Sequence, residues 1–295
     1  MKKSKNFNLF LMDGEVTGRI KCTLLNWTGL AYKVPRAFLD KCRDRKDLKQ
    51  SGVYFLFGID ENNKESVYIG QAGIRKNGEG VLFRVVEHLK DAFYFNEAVM
   101  LTTQNNSFGP TEISYLENCF TNLAKSIDRY NVINANDPNP GNVTEEKESE
   151  LEEFVEYSKI VLGVLGYKIF VPLIEIEDSD KNENEKELYL YIKQNSRKYS
   201  EEIEAKCKRT NEGFVVLKGS NMKKNIVKSA PKAIKEIRDK LIENGDVKNG
   251  VLMKNQLFTS PSYAASFILG SSVNGRMVWK TKEGIALGEM EEKSL

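Results

Sequence analysis

Apolar side chains recur along this chain at two spacings. From Gly52 to Phe57 (GVYFLF), Val53, Phe55 and Phe57 alternate with Tyr54 and Leu56, a period of two that predicts a strand. Ser66 to Gly70 (SVYIG) predicts a second strand, and the polar stretch Asp60 to Lys64 makes a hairpin turn between them. Two helices follow. Leu82, Val85, Val86 and Leu89 recur at helical spacing, and Ile113, Leu116, Phe120, Leu123 and Ile127 do so again. A third helix opens at Thr144, a good N-cap, with Glu145 and Glu146 in the first turn, where the helix dipole favours acids. Its apolar face runs through Leu151, Phe154, Leu162 and Leu165, and Gly166 suits its end. Lys168 to Leu173 (KIFVPL), Leu188 to Ile192 and Phe214 to Leu217 read as strands. Ile234, Ile237 and Leu241 mark a helix ending near Gly245. In SPSYAASFILG, Ser260 caps, Pro261 starts and Gly270 stops another. Asn274-Gly275 then predicts a turn into a strand from Met277 to Lys280.

Chain-breaking residues divide this pattern. Asn134 to Asn142 (NANDPNPGN) and Asp178 to Glu187 (DSDKNENEKE) read as loops. The expected organisation is a leader over 1–50, a first domain over 51–140, a connecting helix and strands over 141–212, and a C-terminal domain over 213–295. No internal repeat is present. Hydrophobic residues make up 40% and charged residues 29%, the balance of an ordinary globular protein. No apolar run approaches the roughly 18 residues of a membrane span. The apolar piece Leu9 to Met12 is too short for a secretion signal, so the expected location is cytoplasmic, without a membrane partner. Cys22, Cys42, Cys119 and Cys207 are too scattered for a zinc site with only one histidine, and read as reduced and structural. The net charge is only +2, but Lys and Arg crowd Lys33 to Lys49 (Arg36, Lys41, Arg43, Arg45, Lys46) and return from Lys218 to Lys240. Either stretch is a solvated face or a track for phosphates. Glu145 to Glu156 between them is acidic.

The residues with chemistry cluster in the first domain. A symmetric hairpin register pairs Leu56 with Ser66 and Tyr54 with Tyr68, so both tyrosines share one face. They are either a stabilising aromatic pair or a functional one. Arg84 and His88 stand four apart and so on one helix face, and His88 is the chain's only histidine. Glu117 falls on the same helix face as Ile113, Phe120 and Ala124, where an unpaired charge is costly. Its partner is either a metal ion or Arg84.

These residues resemble GIY-YIG nucleases. GVY (Gly52 to Tyr54) and YIG (Tyr68 to Gly70) look like the paired signature, with Val53 where the name has Ile. Arg84 looks like the family arginine, LEN (Leu116 to Asn118) like the helix carrying the metal-binding glutamate, and RYNV (Arg129 to Val132) like the closing segment, which places the family asparagine at Asn131. His88 is matched in intron-homing members. Excision-repair members carry Lys after the second motif; here Gln71 stands there, with Arg75 and Lys76 nearby. The resemblance covers about Ser51 to Val132, and its specificity lies in five motifs in order. It implies an α+β fold, a small antiparallel sheet flanked by helices, followed by a separate small α+β C-terminal domain. It also implies catalytic roles for Tyr54, Tyr68, Arg84, His88, Glu117 and Asn131, with Glu117 holding Mg²⁺ or Mn²⁺, hard cations that prefer oxygen ligands. Tyr54 would take a proton from water, with Arg84 and the metal lowering its pKa. Tyr68 would orient the water or phosphate, and Asn131 would fix a loop. The SPS, NG and Trp279 pattern resembles small domains associated with restriction enzymes and adenine methylases, which implies contact with DNA, including modified DNA.

The leading reading is therefore a metal-dependent DNA endonuclease of restriction, defence or repair. The alternative is a non-cleaving DNA-binding protein, a reader of modified DNA, that retains the nuclease fold. A third reading is an interaction protein using the acidic helix from Glu145.

Overall fold

In the computed structural model the described residues are 4–61, 63–174, 188–196 and 201–293; the expected loop Asp178 to Glu187 lies outside them. The chain divides into two compact units, Met1–Pro172 and Leu173–Leu295. Both mix helices with predominantly antiparallel sheet, an α+β architecture.

The N-terminal unit is built on one sheet of seven strands. These are β1 (Phe7–Leu11), β2 (Ile20–Leu24), β3 (Gly29–Pro35), β4 (Gly52–Ile59), β5 (Glu65–Ala72), β6 (Phe95–Thr103) and β7 (Asn131–Val132), in the order β1-β2-β3-β6-β4-β5-β7. All neighbours are antiparallel except β5 and β7. Three helices cover it: α1 (Val81–Glu87), α2 (Pro110–Ile127) and α3 (Glu145–Val164). On one face Val53, Phe55 and Phe57 pack with Phe120, Phe154 and Leu162 from α2 and α3. On the other, Tyr54 and Leu56 pack with Tyr32, Met100, Val81 and Val85. Strand β4 is therefore buried on both sides, which is why GVYFLF is apolar throughout.

Three expectations need correction here. Residues 1–50 are not a separate leader: they supply β1, β2 and β3, and β3 pairs with β6 along its whole length. Their short apolar pieces find partners only across the sheet, which local periodicity does not reveal. Strand β6 itself is absent from the sequence reading, because AVML is a continuous apolar run without alternation. The segment 141–212 is not one connector, since α3 belongs to the first unit and the next strands to the second. Lys168 to Leu173 is not a strand either. Phe170 plugs the core instead, its ring 5.5 Å from Phe120 and 6.0 Å from Phe55.

The C-terminal unit has a four-stranded sheet, β13-β10-β9-β8. Its strands are β8 (Tyr189–Ser196), β9 (Glu201–Thr210), β10 (Gly213–Val216) and β13 (Gln256–Phe258), with a small hairpin of β11 (Val247–Lys248) and β12 (Val251–Leu252). Helices α4 (Lys232–Glu243), α5 (Pro261–Leu269), α6 (Gly275–Val278) and α7 (Leu287–Lys293) complete it. Ser260 caps α5, Pro261 opens it and Gly270 ends it in the left-handed conformation, as expected. Asn274-Gly275 does not turn into a strand. Asn274 instead caps α6, its side chain accepting from the Arg276 N–H at 3.1 Å. Gly275 lies so close to the Pro261–Ser262 backbone that a Cβ would overlap it. Trp279 is fully buried and donates Nε1–H to the Pro261 carbonyl at 3.0 Å. The SPS, NG and Trp pattern thus locks α6 onto the start of α5.

Arg238 on α4 is 1% exposed and faces carbonyls. Its guanidinium donates to Phe267 O at 2.7 Å, Lys223 O at 2.8 Å and Ile268 O at 3.1 Å. Two of these belong to the last turn of α5, whose carbonyls lack helical partners. Burial lowers the arginine pKa to about 10. Replacing Arg238 with Met removes this donor from the Phe267 and Lys223 carbonyls, while Ile268 O keeps its bond from Lys223 N–H at 2.9 Å, and we expect a loss of about 3 kcal/mol in the C-terminal unit. Each unit holds one tryptophan, Trp27 and Trp279, so denaturation in a Trp27→Phe background follows this unit alone.

Candidate active site

The five-residue turn Asp60 to Lys64 pairs Ile59 with Glu65, and so Leu56 with Tyr68 and Tyr54 with Gly70. The expected register is off by two positions. Because the slip is even, Tyr54 and Tyr68 still share a face, as diagonal neighbours with ring centroids 6.2 Å apart. The glycine of the second motif has a direct use. Tyr54 lies across Gly70, and a Cβ there would stand 2.5 Å from its Cζ.

Helix α1 ends at Glu87, and His88 opens a tight turn, His88–Lys90, beneath the tyrosines. His88 is buried. Its Nε2 is 2.7 Å from the Tyr54 hydroxyl and its Nδ1 is 2.6 Å from the Asp91 carboxylate. The carboxylate can only accept when ionised, which assigns the ring proton to Nδ1 and leaves Nε2 to accept from Tyr54. Tyr68 also packs on the imidazole, centroids 5.0 Å apart. Asp91 is not evident in the sequence pattern; it follows the helix, and only the tight turn brings it back to His88.

Arg84 is tied by Nη1 to Glu87 at 2.9 Å, and Arg75 grips the same carboxylate through two bonds of 2.8 Å. Arg75, then Arg84, holds the Glu87 pKa down to about 2. The Arg84 charge also acts on Tyr54, Tyr68 and Glu117. Glu117 stands half-buried on α2, and burial raises its carboxyl pKa against the opposing pull of the nearby Gln71 amide and of Arg84. Gln71 in turn donates to Ser114 Oγ at 3.0 Å. The residue after the second motif therefore braces the glutamate.

The two phenols differ. Tyr54 is 1% exposed, whereas Tyr68 is partly open. Burial lifts the Tyr54 pKa well above the ordinary phenol range, with Tyr68 and Glu117 adding to it; Arg84 opposes and is outweighed. The expectation that Arg84 would bring this phenol within reach of a base does not hold for the protein alone. Tyr68 is raised by burial and by Glu117, and lowered by Arg84 and Tyr54.

Asn131 does not join this group. It lies on β7 opposite Ser66, and its amide donates to Asp60 in the hairpin turn at 2.9 Å. That is four strand positions from Gly70, roughly 13 Å at the usual rise. Asn131 thus holds a loop, as expected, but away from the tyrosines; it is Asn134 whose amide nitrogen donates to Ile69 O at 2.6 Å and whose oxygen accepts from Ile69 N at 3.1 Å, pinning the second motif. An asparagine inside a breaker-rich stretch gives no sign of this from sequence alone.

The described residues contain no group of three or more His, Cys, Asp or Glu arranged to hold a metal. No described helix is long and apolar enough to cross a membrane. Residues 196–291, about a third of the chain, match a family described as a domain of unknown function, DUF4357. The match begins in the strands before Gly213, so this domain starts earlier than the sequence pattern suggested. Comparisons with curated proteins and with solved structures give no match.

Proposed function

We propose that the N-terminal unit is a metal-dependent endonuclease that hydrolyses DNA phosphodiesters. The observation that carries this reading is a Tyr54–His88–Asp91 hydrogen-bonded line on one sheet face with Tyr68 and Arg84 beside it, while Glu117, on the helix that packs against the other face, lies close enough for its charge to act on both phenols. The resemblance of the motifs to GIY-YIG nucleases supplies the reaction class, and the exposed Arg75, Lys76 and Lys90 near the site suit a phosphate backbone.

The donor set fits Mg²⁺ or Mn²⁺. Such ions are held by one or two carboxylates and substrate phosphate while keeping several waters, so one half-buried glutamate braced by Gln71 suffices. Glu117 would hold the ion, which would relieve charge on the phosphate and on the leaving oxygen. Arg84, oriented by Glu87, neutralises the phosphate from the side of the tyrosines.

The exposures of the phenols set their order. Tyr68 meets the solvent, so it accepts the proton of the attacking water as that oxygen bonds to phosphorus. Tyr68 passes its own proton to Tyr54, and Tyr54 passes its own to His88 Nε2. Asp91 offsets the charge that appears on the imidazole. The bond from phosphorus to the leaving oxygen breaks. This places the base one residue further out than the sequence reading did, with Tyr54 as the inner link.

Phe at position 68 or 54 interrupts the line without altering the surface. Each change should lower the single-turnover cleavage rate by about 100-fold or more. DNA affinity in chelator should stay within a few-fold of wild type. An unchanged rate in Tyr68→Phe contradicts the proposed order.

A further inference from the structure

We infer that the C-terminal unit carries a binding cleft for a nucleotide of a single DNA strand. A cleft of about 640 Å³ opens beside β8, within the size range of ligand sites. One wall is the strand from Tyr191 to Gln194, and the other is Met277, Val278 and the chain from Lys280 to Gly284. Its lining holds three lysines, Lys193, Lys280 and Lys282, and no carboxylate among the described residues. Lys193 is paired with Glu204 at 2.7 Å, but both side chains are well exposed, and such pairs exchange partners at little cost.

Two features separate this cleft from an ordinary basic surface. It presents flat and soft apolar groups to the solvent: Tyr191 points away from the core side occupied by Leu190 and Ile192, and Met277 is 64% exposed. The hydroxyl oxygen of Thr281 is buried in the same lining with no hydrogen-bond partner. A buried hydroxyl left unpaired is unfavourable, and turning it into the cleft to meet a ligand atom relieves it.

The walls are held before any ligand arrives. Tyr191 and Lys280 exchange backbone bonds of 2.7 and 3.0 Å, and the neighbouring Trp279 is locked to Pro261. The SPS, NG and Trp pattern therefore serves this cleft indirectly, by fixing the chain that bears Met277, Lys280 and Lys282.

An aromatic ring, a thioether and several ammonium groups around one cleft suit a base with phosphates on either side. Aromatic stacking plus cationic tracking is how single strands are bound without sequence preference. A duplex, whose bases are already stacked and whose width far exceeds the cleft, cannot place a base there. The choice of DNA rests on the proposed function of the N-terminal unit; the cleft itself does not.

The test is fluorescence anisotropy with the full chain in chelator, so that hydrolysis plays no part. The probes are a labelled 15-nucleotide single strand and the same sequence as duplex. Wild type should bind the single strand more tightly than the duplex. Lys280→Glu with Lys282→Glu should weaken single-strand binding at least tenfold, and Tyr191→Ala roughly tenfold, the loss of one stacked base. These positions are exposed or at the cleft, and an unchanged circular dichroism melt verifies folding. Equal affinity for strand and duplex overturns the inference, as does loss in the lysine variant with none in Tyr191→Ala, which would reduce the cleft to general electrostatics.

Discussion

Gly70→Ala should abolish the proposed cleavage of DNA, although alanine adds a single methyl group. The reason is geometric. Position 70 lies directly opposite Tyr54 in the hairpin, and the Tyr54 ring leans over it, with Cζ 2.5 Å from where the methyl would sit. The ring cannot step aside freely, because it is 1% exposed and packed among Met100, Leu56 and Val81. It must therefore tilt, and the 2.7 Å hydrogen bond between its hydroxyl and His88 is the first to break. Overpacking of this kind costs about 1–3 kcal/mol in stability. Interrupting the proton line costs about 100-fold in rate. The effect should run through Tyr54: single-turnover rates of Gly70→Ala and Tyr54→Phe should agree within a few-fold, and the double variant should be no slower. Additive losses in the double variant would show that Gly70 acts on something else.

This also shows what the sequence could and could not reveal. The tyrosines, Arg84 and Glu117 were legible because each sits in a regular element whose periodicity fixes its face, whereas His88 lies just past the end of α1, in a tight turn rather than on the expected helix face with Arg84. The even slip in hairpin register left those faces unchanged. Partners that depend on tertiary closure were not legible. Asp91 reaches His88 only through a tight turn, and Asn134 reaches Ile69 only because its loop returns to the sheet. Asn131 fixes the hairpin turn rather than the tyrosine site, because a motif position does not say which amide faces the second motif. Four of the seven strands of the main sheet were missed for a related reason. β6 carries no alternation because both its faces are buried, and β1 to β3 join the sheet through β6 rather than pairing with each other alone. Sequence shows which charges lie near Tyr54 but not how much water is excluded, and in the protein alone burial outweighs Arg84 there.

The second large effect belongs to Glu117. It lies between the buried face of α2, marked by Ile113 and Phe120, and the site of Arg84 and the tyrosines. Burial raises its pKa and the Gln71 amide and the Arg84 charge oppose that rise, so the proposed divalent cation would further favour its ionised form. Glutamine at this position keeps the shape while removing the charge that would hold the ion in the proposed reading. Cleavage in Mg²⁺ should fall by a factor of roughly 1,000 or more, the worth of a metal centre to phosphate chemistry. DNA affinity in chelator should be unaffected, since phosphate contacts by Arg and Lys remain.

The most direct measurement is incubation of supercoiled plasmid with the wild-type chain and with Glu117→Gln, each in Mg²⁺, in Mn²⁺ and in chelator. The account expects nicked or linear DNA from the wild type with either metal, none in chelator, and none from Glu117→Gln under any condition. Cleavage by the wild type in chelator, or by Glu117→Gln at the wild-type rate, contradicts it, and binding without cleavage under every condition would make this chain a DNA reader on a nuclease-like scaffold.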